Sequence, residues 1–466
     1  MDLTFIRYKE RHILLLMDFF AFLMAHCAIY YLRFRSGLFG APVGYWSLLI
    51  PALVTSAYWL VIFAMLGQYR PLYGKSRLDS LLATMKSTAV GIFIIFFLMT
   101  LDKEAPFTKG NVTLLIYWAL LVGFAGGGRI VLRTVQHILL MKGVALSPAL
   151  IVGFNERGKK LLDQTIRFPV MGYKVMGFVD DKFTEGVHRD IRVLGLVDDL
   201  YRLIPDYGVM EVILALSRED ESLMERVIGI CGLLGVRIKI MPELYHLVSG
   251  QVKVMGLYGV PLVEVFPDLM PPWAQVMKRL MDIVCSLLVL TVNLPVMLAI
   301  AVLIKLDSEG PIIYSQKRVG IRGKEFTLFK FRSMIKDAEA KTGAVWAEKD
   351  DPRITKVGRF LRKARLDELP QFFNVLKGNM SLVGPRPERK IFVDRFIKEI
   401  PLYSRRLNVK PGITGWAQVK YKYDESLDDV KMKLSYDLYY LENLSLKFDL
   451  KIMLLTFAVM LWGKGQ

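Results

Sequence analysis

Cysteine and histidine are scarce in this chain. Three cysteines, Cys27, Cys231 and Cys285, lie far apart in apolar surroundings, and five histidines are scattered through 466 residues. That spacing excludes a disulfide framework and a structural zinc site. No internal repeat or low-complexity tract is present, and acidic residues are outnumbered, 44 against 62 lysines and arginines. The basic start Arg7-Tyr8-Lys9-Glu10-Arg11 precedes an apolar run too long for a signal-peptide core, with no small-residue cleavage site after it, so the segment is expected to be retained. Apolar residues are what the chain has in excess. At 53% hydrophobic, with a mean hydropathy of +0.36, it is too apolar for a purely soluble protein and too long for one domain.

Four apolar stretches, about 12 to 32, 46 to 66, 81 to 101 and 112 to 132, each approach the roughly 20 residues that cross a bilayer. They predict a four-helix transmembrane domain over 1–142. The loop after the second stretch carries Arg70, Lys75 and Arg77, and the chain leaving the fourth carries Arg129, Arg133 and Lys142, whereas Asp102 and Glu104 balance the loop at 102 to 111. The positive-inside rule then places both ends of the bundle in the cytoplasm, with Arg33 and Arg35 in the first outer loop pulling the other way. Asp18 falls inside the first stretch, where a charge is expensive; it is expected to face the bundle or to snorkel.

From about 148 short apolar runs alternate with charged, helix-like segments: Ala149 to Val152, Val175 to Val179, Glu211 to Leu216 and Val236 to Ile240. This spacing predicts a parallel, Rossmann-like α/β module over 143–265. Its first strand runs into Gly153-Phe154-Asn155-Glu156-Arg157-Gly158, where a dinucleotide fingerprint wants glycine at the position of Asn155, and Asp180 follows about where a ribose-binding acid belongs. Two readings stay open: a nucleotide site built from Gly153, Asn155, Gly158 and Asp180, or a module of the same fold that binds none.

After a proline-rich linker (Pro261, Pro267, Pro271, Pro272) a fifth apolar stretch covers about 280 to 304, entered through Lys278, Arg279 and Asp282, left at Lys305 and broken by Pro295. Residues 273–466 hold 34 basic against 21 acidic residues, so this part of the chain faces something anionic. A straight span would carry that charge outside, against the positive-inside rule; a helix broken at Pro295 that enters and leaves one leaflet satisfies both the charge and the missing N–H. A kinked full span is the alternative. The tail, about 444 to 462, is too short to span and is expected to lie in the interface or pack on the domain.

Chemistry concentrates between Arg359 and Glu388. Asp367 and Glu368 follow Arg362, Lys363 and Arg365, whose charges favour ionised carboxylates, and an ionised Asp among cations can attack phosphorus. Such a cluster is also what a solvated helix start looks like. Arg386 stands between Pro385 and Pro387, which suits presenting a guanidinium fork to a diphosphate or simply a rigid turn.

Lys278-Arg279-x-x-Asp282, Tyr314 to Gly320, Phe329-Lys330-Phe331-Arg332-Ser333-Met334, Leu366 to Gln371, Ser381 to Pro387 and Lys410 to Val419 together resemble the bacterial monotopic phosphoglycosyl transferases. With its leading spans and Rossmann-like module, the chain is similar to the long members of that family, the undecaprenyl-phosphate glucose or galactose phosphotransferases. The resemblance implies a mainly α monotopic catalytic domain over 273–466 with a re-entrant helix. It implies transfer of a hexose 1-phosphate, most readily glucose 1-phosphate, from a UDP-sugar to undecaprenyl phosphate, with release of UMP. Asp367 would form an aspartyl phosphosugar, and Glu368 would hold Mg²⁺ with Asp367 or orient the nucleophile. Arg362 and Arg386, and less directly Lys330 and Arg332, would contact phosphate; Gly412, Gly415, Trp416 and Gln418 would shape the uridine pocket. The family's Ser-Pro helix break is Asn293-Leu294-Pro295 here, and Asn293 would stand in for the serine hydroxyl.

The implied setting is the cytoplasmic face of the bacterial inner membrane, among membrane lipids, as a homodimer that initiates an exopolysaccharide, capsule or O-antigen. Two other functions compete with this one. A membrane-bound nucleotide-sugar dehydratase needs an intact fingerprint and a Tyr-x-x-x-Lys pair, yet none of the 20 tyrosines has Lys four residues on. A non-catalytic scaffold of polysaccharide assembly would be indifferent to Asp367→Asn. Nucleic-acid binding explains the charge but not the apolar segments.

Overall fold

The computed structural model describes residues 4–32, 46–69, 76–101, 107–144, 146–182, 185–217, 220–242, 262–265, 270–335, 351–421 and 426–461. Arg33, Arg35, Arg70, Lys75, Asp102, Glu104, Pro261 and Pro267 lie outside these. Two compact units form: residues 1–221 with 236–267 and 271–273, and residues 222–235 and 268–270 with 274–466.

The first unit begins with helices α1 (Thr4–Tyr30), α2 (Trp46–Met65), α3 (Arg77–Leu101) and α4 (Phe107–Leu121), the last running through a π-helical turn, Val122–Gly126, into α5 (Gly127–Met141). Four segments, Glu10–Tyr30, Leu48–Met65, Arg77–Thr100 and Val112–Met141, are long and apolar enough to cross a membrane. The fourth outruns its expected end at 132, and this corrects the charge count. Arg129 and Arg133 are not loop cations. Arg129 Nη2 donates to Asp18 Oδ2 at 2.6 Å and Nη1 to Gln68 Oε1 at 2.6 Å, while Arg133 Nη1 donates to Glu10 Oε1 at 3.0 Å. All four ionic groups are buried; each arginine is neutralised by an acid on α1 and adds nothing to a loop-charge argument. Asp18 faces the bundle, as its cost in hydrocarbon requires.

The same unit holds a seven-stranded sheet built from β1 (Ser147–Val152), β2 (Tyr173–Asp180), β3 (Val187–His188), β4 (Ile191–Leu196), β5 (Glu211–Leu214), β6 (Arg237–Ile240) and β7 (Val263–Glu264), in the order β3-β4-β2-β1-β5-β6-β7. The five inner strands are parallel and the two edges antiparallel. β5 is buried along its whole length and β1 nearly so, which is why they read as continuous apolar runs rather than alternating ones. Gly153, at φ +106°, turns β1 into α6 (Glu156–Arg167). Asn155 caps that helix, its Oδ1 accepting from Gly158 N at 2.9 Å, and its Nδ2 donates to Ala215 O at 2.9 Å beyond β5. A Cβ on Gly158 would sit 2.1 Å from Gly153 O, so this glycine serves close packing of helix on strand. Asp180 accepts from Phe154 N at 2.9 Å and from Asp181 N at 2.8 Å. Asn155 and Asp180 are thus bonded within the protein. Helix α7 (Leu200–Asp206) follows β4, and α8 (Glu221–Leu234) lies between β5 and β6 in sequence.

In the second unit, to which residues 222–234 of α8 belong, a helix pair α9 (Pro272–Val292) and α10 (Leu294–Asp307) bends by 61°. Pro295 occupies the first turn of α10, where its missing N–H costs nothing. Asn293 Nδ2 donates to Val289 O at 2.9 Å, one turn back. A hairpin of β8 (Ile313–Val319) and β9 (Glu325–Phe331) follows, then α11 (Lys356–Lys363), a 3₁₀ turn Leu366–Glu368, α12 (Gln371–Lys377), β10 (Ser381–Val383), α13 (Lys390–Glu399), a long 3₁₀ turn Pro401–Asn408, β11 (Gly412–Thr414), α14 (Trp416–Lys420), α15 (Leu427–Glu442) and α16 (Leu446–Leu461). α16 packs Phe448 and Ile452 into a core with Leu382, Val383, Tyr440 and Leu441, while Leu450, Leu454 and Phe457 stay exposed.

Three residues at the entrance of the bent pair fasten it to this unit. Lys278 Nζ donates to Asp449 Oδ2 at 2.5 Å and Val383 O at 3.1 Å, Arg279 donates to Val375 O and Leu376 O at 2.6 and 2.7 Å, and Asp282 Oδ1 accepts from Ser381 Oγ and Leu382 N. The helix is thereby bonded to α12, β10 and α16, of which α12 and β10 lie between Glu368 and Arg386 in sequence.

Candidate active site

Asp367 and Glu368 sit in a single 3₁₀ turn launched by Arg365, a non-glycine residue at φ +55°. A left-handed arginine costs about 1–3 kcal/mol and persists where its surroundings fix it. Its effect is to end α11 abruptly and turn the next residues inward: Asp367 is 7% exposed. Glu368 Oε1 lies 3.2 Å from Lys330 Nζ on β9 and 3.7 Å from Arg386 Nη2. Burial alone would raise the Glu368 carboxyl, but Lys330, Arg386 and Arg365 together bring it down to about 2. Asp367 goes the other way. Its burial, with Glu368 beside it, pushes its carboxyl above the usual value despite Lys330, Arg362 and Arg386. Two adjacent carboxylates thus differ: one is locked as an anion by its cations, the other poorly solvated and basic.

Arg362, on the last turn of α11, donates from Nε to Ser333 Oγ at 2.9 Å. Gly358 makes this contact feasible, since a Cβ there would stand 2.0 Å from Ser333 O. Arg332 goes elsewhere. Its Nη2 donates to Ser308 O at 2.7 Å and Ser308 Oγ at 2.9 Å, at the end of α10. Asp367, Glu368, Lys330, Arg362 and Arg386 are therefore brought together, and Arg332 secures the exit of the bent helix pair.

In the 412–418 segment, Cβ atoms on Gly412 and Gly415 would stand 2.1 and 2.4 Å from Gly384 backbone atoms; these glycines let the segment lie against the strand before Arg386. Trp416 packs with Tyr439 and Phe448, at ring distances of 6.3 and 5.1 Å, and Lys420 lies 5.0 Å from its ring centre. Gln418 lines a cavity with Arg386, Glu388, Arg406 and Asp437. The last three were not among the residues the sequence singled out. Arg406 stands in a basic run that reads as surface, and Asp437 is one acid among several on an amphipathic helix.

A family model described as bacterial sugar transferase matches residues 273–463, and one described as CoA-binding domain matches residues 56–242. A UDP-glucose:undecaprenyl-phosphate glucose-1-phosphate transferase of Klebsiella pneumoniae is 33% identical over 407 residues, 85% of this chain and 86% of its own. The chain belongs to the bacterial sugar transferase family. Among its relatives, a UDP-N-acetylgalactosamine-undecaprenyl-phosphate N-acetylgalactosaminephosphotransferase of Aeromonas hydrophila is 42% identical over 265 residues, 56% of this chain and 62% of that protein. A putative undecaprenyl-phosphate N-acetylgalactosaminyl 1-phosphate transferase of Bacillus subtilis is 55% identical over 130 residues, 28% of this chain and 72% of that one.

Proposed function

We propose that this sugar transferase moves a sugar 1-phosphate from a UDP-sugar to undecaprenyl phosphate and so initiates a bacterial polysaccharide. The observation that carries the reading is the dyad: a buried Asp367 of raised basicity beside a Glu368 held by two cations. In the first step an Asp367 carboxylate oxygen attacks the sugar-bearing phosphorus; the new O–P bond replaces the bond to the second phosphate, and UMP leaves with that oxygen. In the second, a phosphate oxygen of the lipid attacks the same phosphorus and Asp367 leaves. The sugar's C–O bond is untouched. Arg386 and Arg362 neutralise the oxygens that would repel an anionic nucleophile, and Lys330 keeps Glu368 charged and oriented.

The dyad suits Mg²⁺. Two carboxylates are what this ion ordinarily takes from protein when a diphosphate and water complete its shell, and among the described residues no cluster of three or more acidic, His or Cys side chains competes for it. Asp367 and Glu368 would hold the ion, which would draw charge off the diphosphate. The Gly412–Gln418 segment would shape the uridine pocket. We further propose that the bent pair α9–α10 is re-entrant and that the strongly basic 273–466 region faces the cytoplasm at the inner membrane, where a soluble UDP-sugar and a lipid phosphate meet; its 34 basic against 21 acidic residues support this side. A homodimer remains part of the proposal by family resemblance alone.

The donor is the open element. UDP-glucose follows the family's habit and the Klebsiella relative, whereas the relatives of higher identity over shorter stretches are named for N-acetylgalactosamine. The test uses full-length protein in lipid nanodiscs with Mg²⁺ and, separately, UDP-glucose, UDP-galactose and UDP-N-acetylgalactosamine, with no lipid acceptor. Intact mass is expected to show a sugar-phosphate adduct with one donor, accompanied by UMP, on the wild type and not on Asp367→Asn. Absence of any adduct, and of transfer once undecaprenyl phosphate is added, would leave the scaffold reading in its place.

A further inference from the structure

Backbone carbonyls anchor the segment that carries Arg386. Pro385 O accepts from Gly412 N at 2.9 Å, Pro387 O from Arg318 Nη1 at 3.2 Å and Glu388 O from Val319 N at 2.9 Å. The two prolines have no N–H to add. The carbonyl of Arg386 itself accepts from Arg406 Nη2 at 2.8 Å. Arg406 lies on the 3₁₀ turn Pro401–Asn408 and is 8% exposed. The same Nη2 stands 3.0 Å from Asp437 Oδ2 on α15, and Nη1 donates to Tyr403 Oη, with the guanidinium 4.8 Å from the Tyr403 ring centre. A buried planar fork with its donors divided among a carboxylate, a phenol and one backbone carbonyl has a single orientation.

We propose that Arg406, locked by Asp437, is a positioning residue for the transfer: it fixes the backbone of Arg386 so that the Arg386 guanidinium reaches Glu368 and the phosphate attacked by Asp367. This rests on the function proposed above. The bonds of Arg406 go to Tyr403, Asp437 and the Arg386 carbonyl, and none to the dyad carboxylates. Its effect passes through one carbonyl, and that separates it from a pair that merely joins α15 to the turn. A joining pair can be replaced by apolar contact without loss of rate. A positioning residue cannot.

Two variants of the full-length enzyme in nanodiscs test this by steady-state UMP release. Arg406→Met with Asp437→Leu removes both buried charges at once, an exchange that often leaves stability intact, and takes the donor from Arg386 O. Arg406→Lys keeps the charge beside Asp437, but a single ammonium on a shorter stem cannot also serve Arg386 O and Tyr403. For each variant that melts like wild type, kcat is expected to fall by about 30- to 100-fold, with KM for the UDP-sugar within about threefold, because misplacing a group by an ångström costs the transition state more than the ground state. The inference is overturned if either folded variant keeps kcat within about threefold of wild type, or if KM rises while kcat holds. Should the double variant not fold, Arg406→Lys decides alone. Wild-type enzyme releasing no UMP from any UDP-sugar sinks the proposed function itself; active wild type with indifferent variants sinks only this inference.

Discussion

At the scale of the residue, the dyad's two carboxylates invite opposite predictions. Burial raises Asp367 above its ordinary value, so its ionised form is less favourable in the folded protein than in the unfolded chain. Removing the charge therefore costs the fold nothing, and Asp367→Asn is expected to melt at or above the wild-type temperature while forming no adduct. The same shift sets a pH dependence. On the proposed mechanism the carboxylate is the nucleophile, so adduct formation should fall as pH drops, with the fall lying above the ordinary Asp range, measured as single-turnover rates from about pH 4 to about pH 8. Glu368, lowered to about 2, contributes stability that is present above the unfolded carboxyl value and lost only as pH falls toward 2. Glu368→Gln takes the carboxylate from Lys330 and Arg386, and a loss of about 1–2 kcal/mol is expected in thermal or denaturant unfolding. A variant as stable as wild type would mean that water screens the pair as it does surface ion pairs.

At the scale of the element, α11 is set by two small features. Thr355 caps it, its Oγ1 accepting from Gly358 N at 3.0 Å, and Gly358 itself lies against Ser333 O. Gly358→Ala would force a Cβ to within 2.0 Å of that carbonyl, lifting the helix that carries Arg362 and loosening the Arg365 turn. A loss of about 1–3 kcal/mol is expected, with adduct formation slowed more than the melting shift explains; unchanged melting would show that the turn absorbs the methyl. Elements of this kind show how far the sequence could be read. The strands at 149–152 and 211–214 and the break at Pro295 were legible because period, length and proline carry their own physics. The dyad was legible because its motif is contiguous. Arg406 and Asp437 were not, since they meet only when a 3₁₀ turn packs on a helix, and neither departs from a surface composition. Asn155 was legible as a departure from the fingerprint, but its bond to Ala215 O depends on strand order, which no local pattern states.

At the scale of the whole molecule, charge is placed differently in the two units. Residues 273–466 hold 34 basic against 21 acidic residues, with Arg359, Arg362, Lys363 and Arg365 just ahead of the dyad. In the helical bundle the buried charges are instead paired, Asp18 with Arg129 and Glu10 with Arg133. That pairing is why counting Arg129 and Arg133 as loop charges failed: hydropathy sees a cation near the end of an apolar run and cannot see an acid 111 positions earlier on the facing helix. The Asp18–Arg129 pair, at 0% and 2% exposure, is sealed from water and tied further to Gln68. Breaking it from one side leaves an unpaired charge among apolar side chains, so Asp18→Leu and Arg129→Leu are each expected to lose about 3–5 kcal/mol. Removing both returns an apolar interface, and the double variant should recover most of that loss, a coupling read from a double-mutant cycle of thermal unfolding in detergent. Added salt should not reproduce the single-variant losses in wild type, because screening does not reach a pair buried between helices. Single variants that melt like wild type would require water or lipid headgroups to reach Asp18, and the fourth helix would then have to end near 132 after all.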